Sequence, residues 1–152
     1  VLLKDLTEAG FTFFSNYESR KGKQISENKN VSLLFPWYPM ERQVIVIGSA
    51  TKISREDSEK YFATRPRSSQ IGAWASEQSA ELSSRQELEN KFKELENKFA
   101  KEEVIPTPPY WGGYIVYPIS IEFWQGRYSR LHDRIRYVRE KNNNWQLKRL
   151  NP

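Results

Sequence analysis

The sequence predicts a mainly β fold, a small antiparallel barrel with peripheral helices. Three observations carry that expectation. At least six segments are dense in β-branched and aromatic residues and are bounded by turn formers. The helical segments do not alternate regularly with them, which disfavours a doubly wound parallel sheet. The 152 residues, 38% hydrophobic and 14% aromatic, hold enough bulky apolar side chains for one core, so 1–152 reads as a single domain.

The elements follow in order. Val1-Leu2-Leu3 reads as a strand entered without an initiating Met, so an N-terminal portion is expected to be missing. Gly10 to Ser15 is a strand, Ser19 to Asn28 a short polar helix, and Val31 to Phe35 a strand ended by Pro36 and Pro39. Gln43 to Gly48 is a near-continuous apolar run, which predicts a strand buried on both faces. Together these read as an antiparallel meander. Ser54-Arg55-Glu56-Asp57 resembles a capping box leading into Ser58 to Thr64; Pro66 stops that helix, and Ser68 to Ser76 forms another. Ser84-Arg85-Gln86-Glu87 is a full capping box. Behind it Leu88, Phe92, Leu95 and Phe99 make a one-sided stripe, and Glu-Leu-Glu-Asn-Lys-Phe occurs twice in tandem. Two heptads predict an amphipathic helix rather than a coiled coil. After the Pro-rich link Pro106 to Pro109, strands follow at Gly113 to Pro118, Ile119 to Trp124, Arg134 to Glu140 and Trp145 to Leu150, the last two joined by an Asn142-Asn143-Asn144 turn.

Composition narrows the chemistry. The 24 Lys and Arg exceed the 19 Asp and Glu, a net +5 that points to anionic partners. With no Cys and one His, disulfides, thiolate chemistry and transition-metal sites are disfavoured, and no metal is expected. No apolar run reaches the roughly 18 residues of a membrane span, and no signal-peptide pattern opens the chain. A soluble cytoplasmic protein with no membrane partner is the expectation.

Three basic clusters could hold an anion. In Arg130-Leu131-His132-Asp133-Arg134, an extended backbone puts Arg130, His132 and Arg134 on one face, where they repel unless a phosphate or carboxylate sits among them. The other reading is an exposed strand face paired to acids. Tyr61 and Arg65 share a helical face before Pro66, and Ser68 and Ser69 can cap a helix whose N-terminus favours anions. A capped junction with solvated arginines fits equally. Ser15 to Lys21 sets hydroxyls and the pair Arg20-Lys21 directly after a strand, although such pairs are common on surfaces. Trp124, beside Gly126, could stack on a planar ring or simply fill a core, as could Trp74 near Gln78 and Ser79. The lone His132 has a structural reading beside a catalytic one. There is no dinucleotide fingerprint, P-loop or nucleophile elbow, which argues against NAD-dependent, kinase and hydrolase chemistry.

The combined motifs resemble the pyridoxine/pyridoxamine 5′-phosphate oxidase family. They are Val1-Leu2-Leu3-Lys4, Phe14-Ser15-Asn16 with Ser19-Arg20-Lys21, Arg42-Gln43-Val44, Tyr61-Phe62 with Arg65-Pro66, Ser69 to Ala73, Gln78-Ser79, Glu122 to Arg127, Arg130 to Arg134, and Trp145 with Arg149 to Pro152. They stand in family order along nearly the whole chain. The resemblance implies an FMN-binding antiparallel split β-barrel, a homodimer with FMN at its interface, and residues 106–152 as the dimerisation and substrate segment. It implies oxidation of pyridoxamine or pyridoxine 5′-phosphate to pyridoxal 5′-phosphate, with O2 reduced to hydrogen peroxide and ammonia released from the amine.

By matching motif, FMN would be contacted by Val1, Leu2, Leu3, Lys4, Phe14, Ser15, Arg20, Lys21, Gln43, Gln78, Ser79, Trp124 and Arg134, with Arg20 and Lys21 on its phosphate. Lys4, Tyr61, Arg65 and Ser69 would grip the substrate phosphate. Arg130, Leu131 and His132 would lie against the pyridine ring, Arg130 and His132 as the catalytic pair. The chain departs from the family where Phe14 replaces a common Tyr and where Ile45 and Ile47 replace an Arg and a Glu. The alternatives are a non-catalytic flavin carrier and a nucleic-acid-binding barrel. Because the basic residues fall in three short motifs rather than along a stripe, no nucleic-acid partner is expected.

Overall fold

One long strand organises the sheet in this computed structural model, which describes residues 1–152. The strands are β1 (Asp5–Leu6), β2 (Phe11–Asn16), β3 (Asn30–Trp37), β4 (Arg42–Lys52), β5 (Trp111–Gln125), β6 (Asp133–Arg139) and β7 (Trp145–Leu150). The helices are α1 (Arg20–Glu27), α2 (Arg55–Ala63), α3 (Arg67–Ala75) and α4 (Arg85–Phe99). All seven strands form one antiparallel sheet, curled into a half-barrel. Along one edge β5 pairs with β4; along the other it pairs first with β2, from Trp111 to Val116, and then with β6, from Ser120 to Gln125. β1, β3 and β7 flank β2, β4 and β6.

Two cores lie on opposite faces. Inside the curl, Phe11, Phe13, Val46, Ala50, Tyr114 and Val116 pack with Ile25 of α1. On the outside, Phe62, Ile71, Phe99 and Ile105 from the helical layer close over Trp111. Alternation puts Phe13 in the first and Phe14 against the second, so β2 is the strand buried on both faces. Arg55 fastens α2 to the Pro-rich link by donating to the carbonyls of Thr107, Pro108 and Trp111. Arg67 donates to the carbonyls of Phe99 and Glu102 at the end of α4, where the helix dipole favours a cation. No helix is long and apolar enough to cross a membrane.

Several local expectations change. Val1 to Leu3 form no strand: the chain meets the edge of β2 only from Lys4 onward, and Leu2 leaves that edge to line a cleft. β3 runs through Pro36 to Trp37, because an edge strand tolerates a residue that cannot donate. The expected meander holds for β3–β4 but not for β2, which pairs with β1 and with β5, 105 residues later (Phe11 opposite Val116). The two strands expected between Gly113 and Trp124 are one, with a bulge where the register shifts opposite Ile47/Gly48. β4 is not buried on both faces. Val46 is fully covered while Ile47 stays 39% exposed, because the helical layer reaches only β2 and the start of β5.

Candidate active site

The junction of α2 and α3 shapes one wall of a cleft. Ser54 caps α2 by accepting from the Asp57 amide, and the helix ends at Ala63. Pro66 then stands at the N-cap of α3, with no side-chain cap from Ser68 or Ser69; the Pro66 carbonyl takes the Ser69 and Gln70 amides instead. The buried Gln70 amide donates to the carbonyls of Phe62, Ala63 and Arg65 at 3.0, 3.3 and 3.0 Å. That one side chain satisfies the frayed end of α2 and fixes the turn that presents Arg65.

Arg65 lies over the Trp111 ring, 4.8 Å from its centroid. Trp111 continues a stack with Phe14 at 5.2 Å, and Phe14 lies 3.9 Å from Tyr61 at 14°. The Arg65 Nη1 is buried without a hydrogen-bond partner. Desolvation pushes its pKa down, which states the same deficit electrostatically. This guanidinium, Lys4, Tyr61 and Ser69 line a cleft of about 580 Å³, together with Leu2, Phe14, Ser15 and Gln78. Eight residues singled out in the sequence therefore converge there.

At one side of the cleft Lys21 donates to Ser15 Oγ at 3.1 Å and to Gln78 Oε1 at 3.0 Å, and Ser15 Oγ donates to Gln78 Oε1 at 2.9 Å. Ser19 caps α1, and the first turn behind it carries Arg20 and Lys21 with no acid. Cations at a helix N-terminus oppose the dipole, so the place favours an anion. Burial, and then the neighbouring Arg20, lower the Lys21 pKa. Arg20 and Ser79 face an adjoining groove, which Gln78 shares, and Val1 and Leu3 lie along the β3 side.

A second cluster sits at the far end of β5. Gln43 and Trp124 line a cleft of about 640 Å³. His132 packs on Trp124, ring centroids 4.8 Å apart, and its Nδ1 accepts from the Arg127 amide at 3.1 Å. Arg130, His132 and Arg134 do not share an extended face: Arg130 ends a short 3-10 turn with φ 60°, and β6 begins only at Asp133. Arg134 is paired with Glu122 at 2.8 Å and donates to the Asn151 carbonyl, which is the acid-paired reading of that residue. Arg130 and Leu131 are exposed on the loop.

The two clusters are far apart within one chain. Trp111 marks the first and Trp124 the second on the same strand, and thirteen residues at about 3.3 Å each give a contour of about 40 Å. Sequence reasoning passed over Trp111 as a site residue and noted Gln70 only within a motif. No local pattern marks Trp111, because its place in the stack depends on β2 pairing with β5.

Comparison with known proteins places these features. Residues 2–99 match the family model described as pyridoxamine 5′-phosphate oxidase, and residues 111–152 match the pyridoxine 5′-phosphate oxidase C-terminal dimerisation region. Proteins named pyridoxine/pyridoxamine 5′-phosphate oxidase from Rippkaea orientalis and Streptomyces avermitilis are 57% and 49% identical over the whole chain, which spans 71% and 68% of their lengths. The crystal structure of PhzG from Burkholderia lata, bound to tetrahydrophenazine-1-carboxylic acid, superposes with a TM-score of 0.89 at 31% identity, covering 99% of this chain and 72% of that one. A pyridoxamine 5′-phosphate oxidase-related, FMN-binding protein from Nostoc punctiforme has a TM-score of 0.75 at 14% identity, with 99% and 78% covered, and shares the fold.

Proposed function

The chain belongs to the pyridoxine/pyridoxamine 5′-phosphate oxidase family, and on that basis we propose that it is an FMN-dependent oxidase converting pyridoxamine or pyridoxine 5′-phosphate to pyridoxal 5′-phosphate. The observation that carries the substrate class is the buried, unpartnered Arg65 Nη1 in a cleft it shares with Lys4, Tyr61 and Ser69. A guanidinium taken out of water without an acceptor is costly, and a phosphate ester supplies the missing acceptor in charge-assisted form. Lys4 adds a second cation, and the Tyr61 and Ser69 hydroxyls complete the grip.

The residues present also fit FMN. Arg20 and Lys21, at a helix start without an acid, would hold its phosphate. Val1 to Lys4, Phe14, Ser15, Gln78 and Ser79 would contact it from one side, and Gln43, Trp124 and Arg134 from the other. When bound, FMN supplies the chemistry of removing a hydride from the substrate carbon that becomes the aldehyde, with the electrons passing to O2 to give hydrogen peroxide. The protein's part is to fix the substrate. Arg65 and its neighbours anchor the phosphate end, Arg130 orients the ring, and His132 supports binding more than it moves a proton.

Arg65 lies beside the Trp111 end of β5, and Arg130 and His132 lie beyond its other end. The reading therefore includes a homodimer in which the 106–152 segment of one copy completes the cleft of the other, consistent with the dimerisation-region match. The test is an anaerobic visible spectrum of the FMN-loaded protein before and after pyridoxamine 5′-phosphate is added, with unphosphorylated pyridoxamine as the comparison. Bleaching of the flavin band by the phosphate ester alone is expected. A flavin that stays oxidised overturns the reading, and equal bleaching by both overturns the role given to Arg65.

A further inference from the structure

The loop that carries Arg130 and His132 is held in an unfavourable shape by contacts that no substrate role requires. Ser129 and Arg130 are consecutive non-glycine residues with φ of 56° and 60°. Left-handed backbone of this kind persists only where the surroundings over-determine it. The surroundings here are specific. Arg127 closes the neck of the loop twice: its amide donates to His132 Nδ1 at 3.1 Å, and its Nε donates to Asp133 Oδ2 at 2.7 Å. The other oxygen of the same carboxylate, Oδ1, accepts from Arg149 of β7 at 2.8 Å. Asp133 thus ties the loop to a neighbouring strand through two guanidiniums, and hydrogen bonds first from Arg127 and then from Arg149 keep its carboxyl below the usual carboxylate range.

The amide bond has a consequence for the imidazole. A backbone N–H can only donate, so Nδ1 must be the unprotonated nitrogen, and the neutral ring carries its proton on Nε2. Nε2 makes no hydrogen bond within the chain and remains a donor for a ligand. We propose that Asp133, bridging Arg127 and Arg149, is a positioning residue that latches the 127–132 loop and thereby fixes His132 in the Nε2–H form. The inference rests on the proposed function only for what His132 does with that donor; the latch itself is a property of the free protein.

His132 is the only histidine in the chain, so the test is unambiguous. Protein labelled with 15N-histidine, without substrate, is compared by long-range 1H–15N correlation between wild type and Asp133→Asn near pH 8. Wild type is expected to show one Nε2–H tautomer, and Asp133→Asn a mixture. Asp133→Glu, which keeps the charge, restores most of the single form. Circular dichroism and FMN affinity report whether each variant is folded. Should the asparagine variant fail to fold, Arg149→Gln, which removes only the strand-side arm, is expected to give the same mixture. With pyridoxamine 5′-phosphate, Asp133→Asn lowers the rate of flavin reduction about tenfold or more, as expected for a misplaced orienting group, while FMN affinity changes little. A single Nε2–H tautomer in both folded variants overturns the latch. Absence of flavin reduction in wild type overturns the proposed function and leaves the tautomer result to decide the latch.

Discussion

At the scale of single residues, the informative side chains carry an electrostatic deficit. Arg65 is one, and Lys21 is the other: partly buried, beside Arg20, with only neutral oxygens for partners. Its pKa is lowered, so in the free protein it loses its proton at a lower pH than an ordinary lysine, near 10.4. A phosphate dianion bound against it would favour the charged form and raise that pKa again. At a pH between the two values the free protein is partly deprotonated and the complex is not, so FMN binding takes up protons. Below the ordinary lysine value and well above the second phosphate pKa of about 6, the FMN phosphate is fully ionised and contributes none of this. Calorimetry of FMN binding in two buffers of different ionisation enthalpy is expected to show uptake there, and Lys21→Met to abolish it. No uptake in wild type would remove Lys21 from the phosphate site. Neither deficit is legible in sequence. Tyr61 and Arg65 at helical spacing, or Arg20 beside Lys21, announce a cation, but only the fold shows that no acid inside the chain answers it.

Among the elements, α1 shows how packing overrides propensity. Gly22 lies inside this helix, where replacement by Ala ordinarily stabilises by about 1 kcal/mol. A Cβ at Gly22 would stand 2.1 Å from the Tyr17 carbonyl oxygen and 2.5 Å from its carbon. Both are backbone atoms that cannot rotate away, so the start of α1 must move off the end of β2. Overpacking of this kind costs about 1–3 kcal/mol and outweighs the propensity gain. Gly22→Ala is therefore expected to lower the melting temperature and to weaken FMN binding at least tenfold, because Arg20 and Lys21 ride on the displaced turn. An unchanged FMN Kd by flavin fluorescence would show that the turn does not hold the phosphate. The same contrast explains which elements the sequence could announce. Capping boxes at Ser54 and Ser84 and the stripe from Leu88 to Phe99 are local signals, and they matched α2 and α4. Pro36 inside β3 and the joining of two predicted strands into β5 depend on which neighbours each strand meets, and periodicity carries no record of that.

For the molecule as a whole, the strand order is what separates the site. β5 serves both β2 and β6, so the Arg65 cleft and the Arg130–His132 loop sit at opposite ends of one sheet. The motifs could be read in sequence, and the family they resemble implied a homodimer, but their separation along β5 was not visible there. A two-chain site makes a quantitative prediction. Arg65→Ala and Arg130→Ala each remove one half of every site in their own homodimers, and each is expected to be nearly inactive. When the two are unfolded together and refolded at equal amounts, half of the dimers are mixed. In each mixed dimer one site receives both lesions and the other receives none, so about one quarter of the wild-type sites return for a closed two-fold assembly. Pyridoxamine 5′-phosphate oxidation by the refolded mixture, measured against the separately refolded variants, reads this fraction. Recovery near a quarter requires that Arg65 and Arg130 act on one substrate from different chains. If each chain carried a complete site, every chain in the mixture would still hold one lesion, and activity would stay at the level of the single variants.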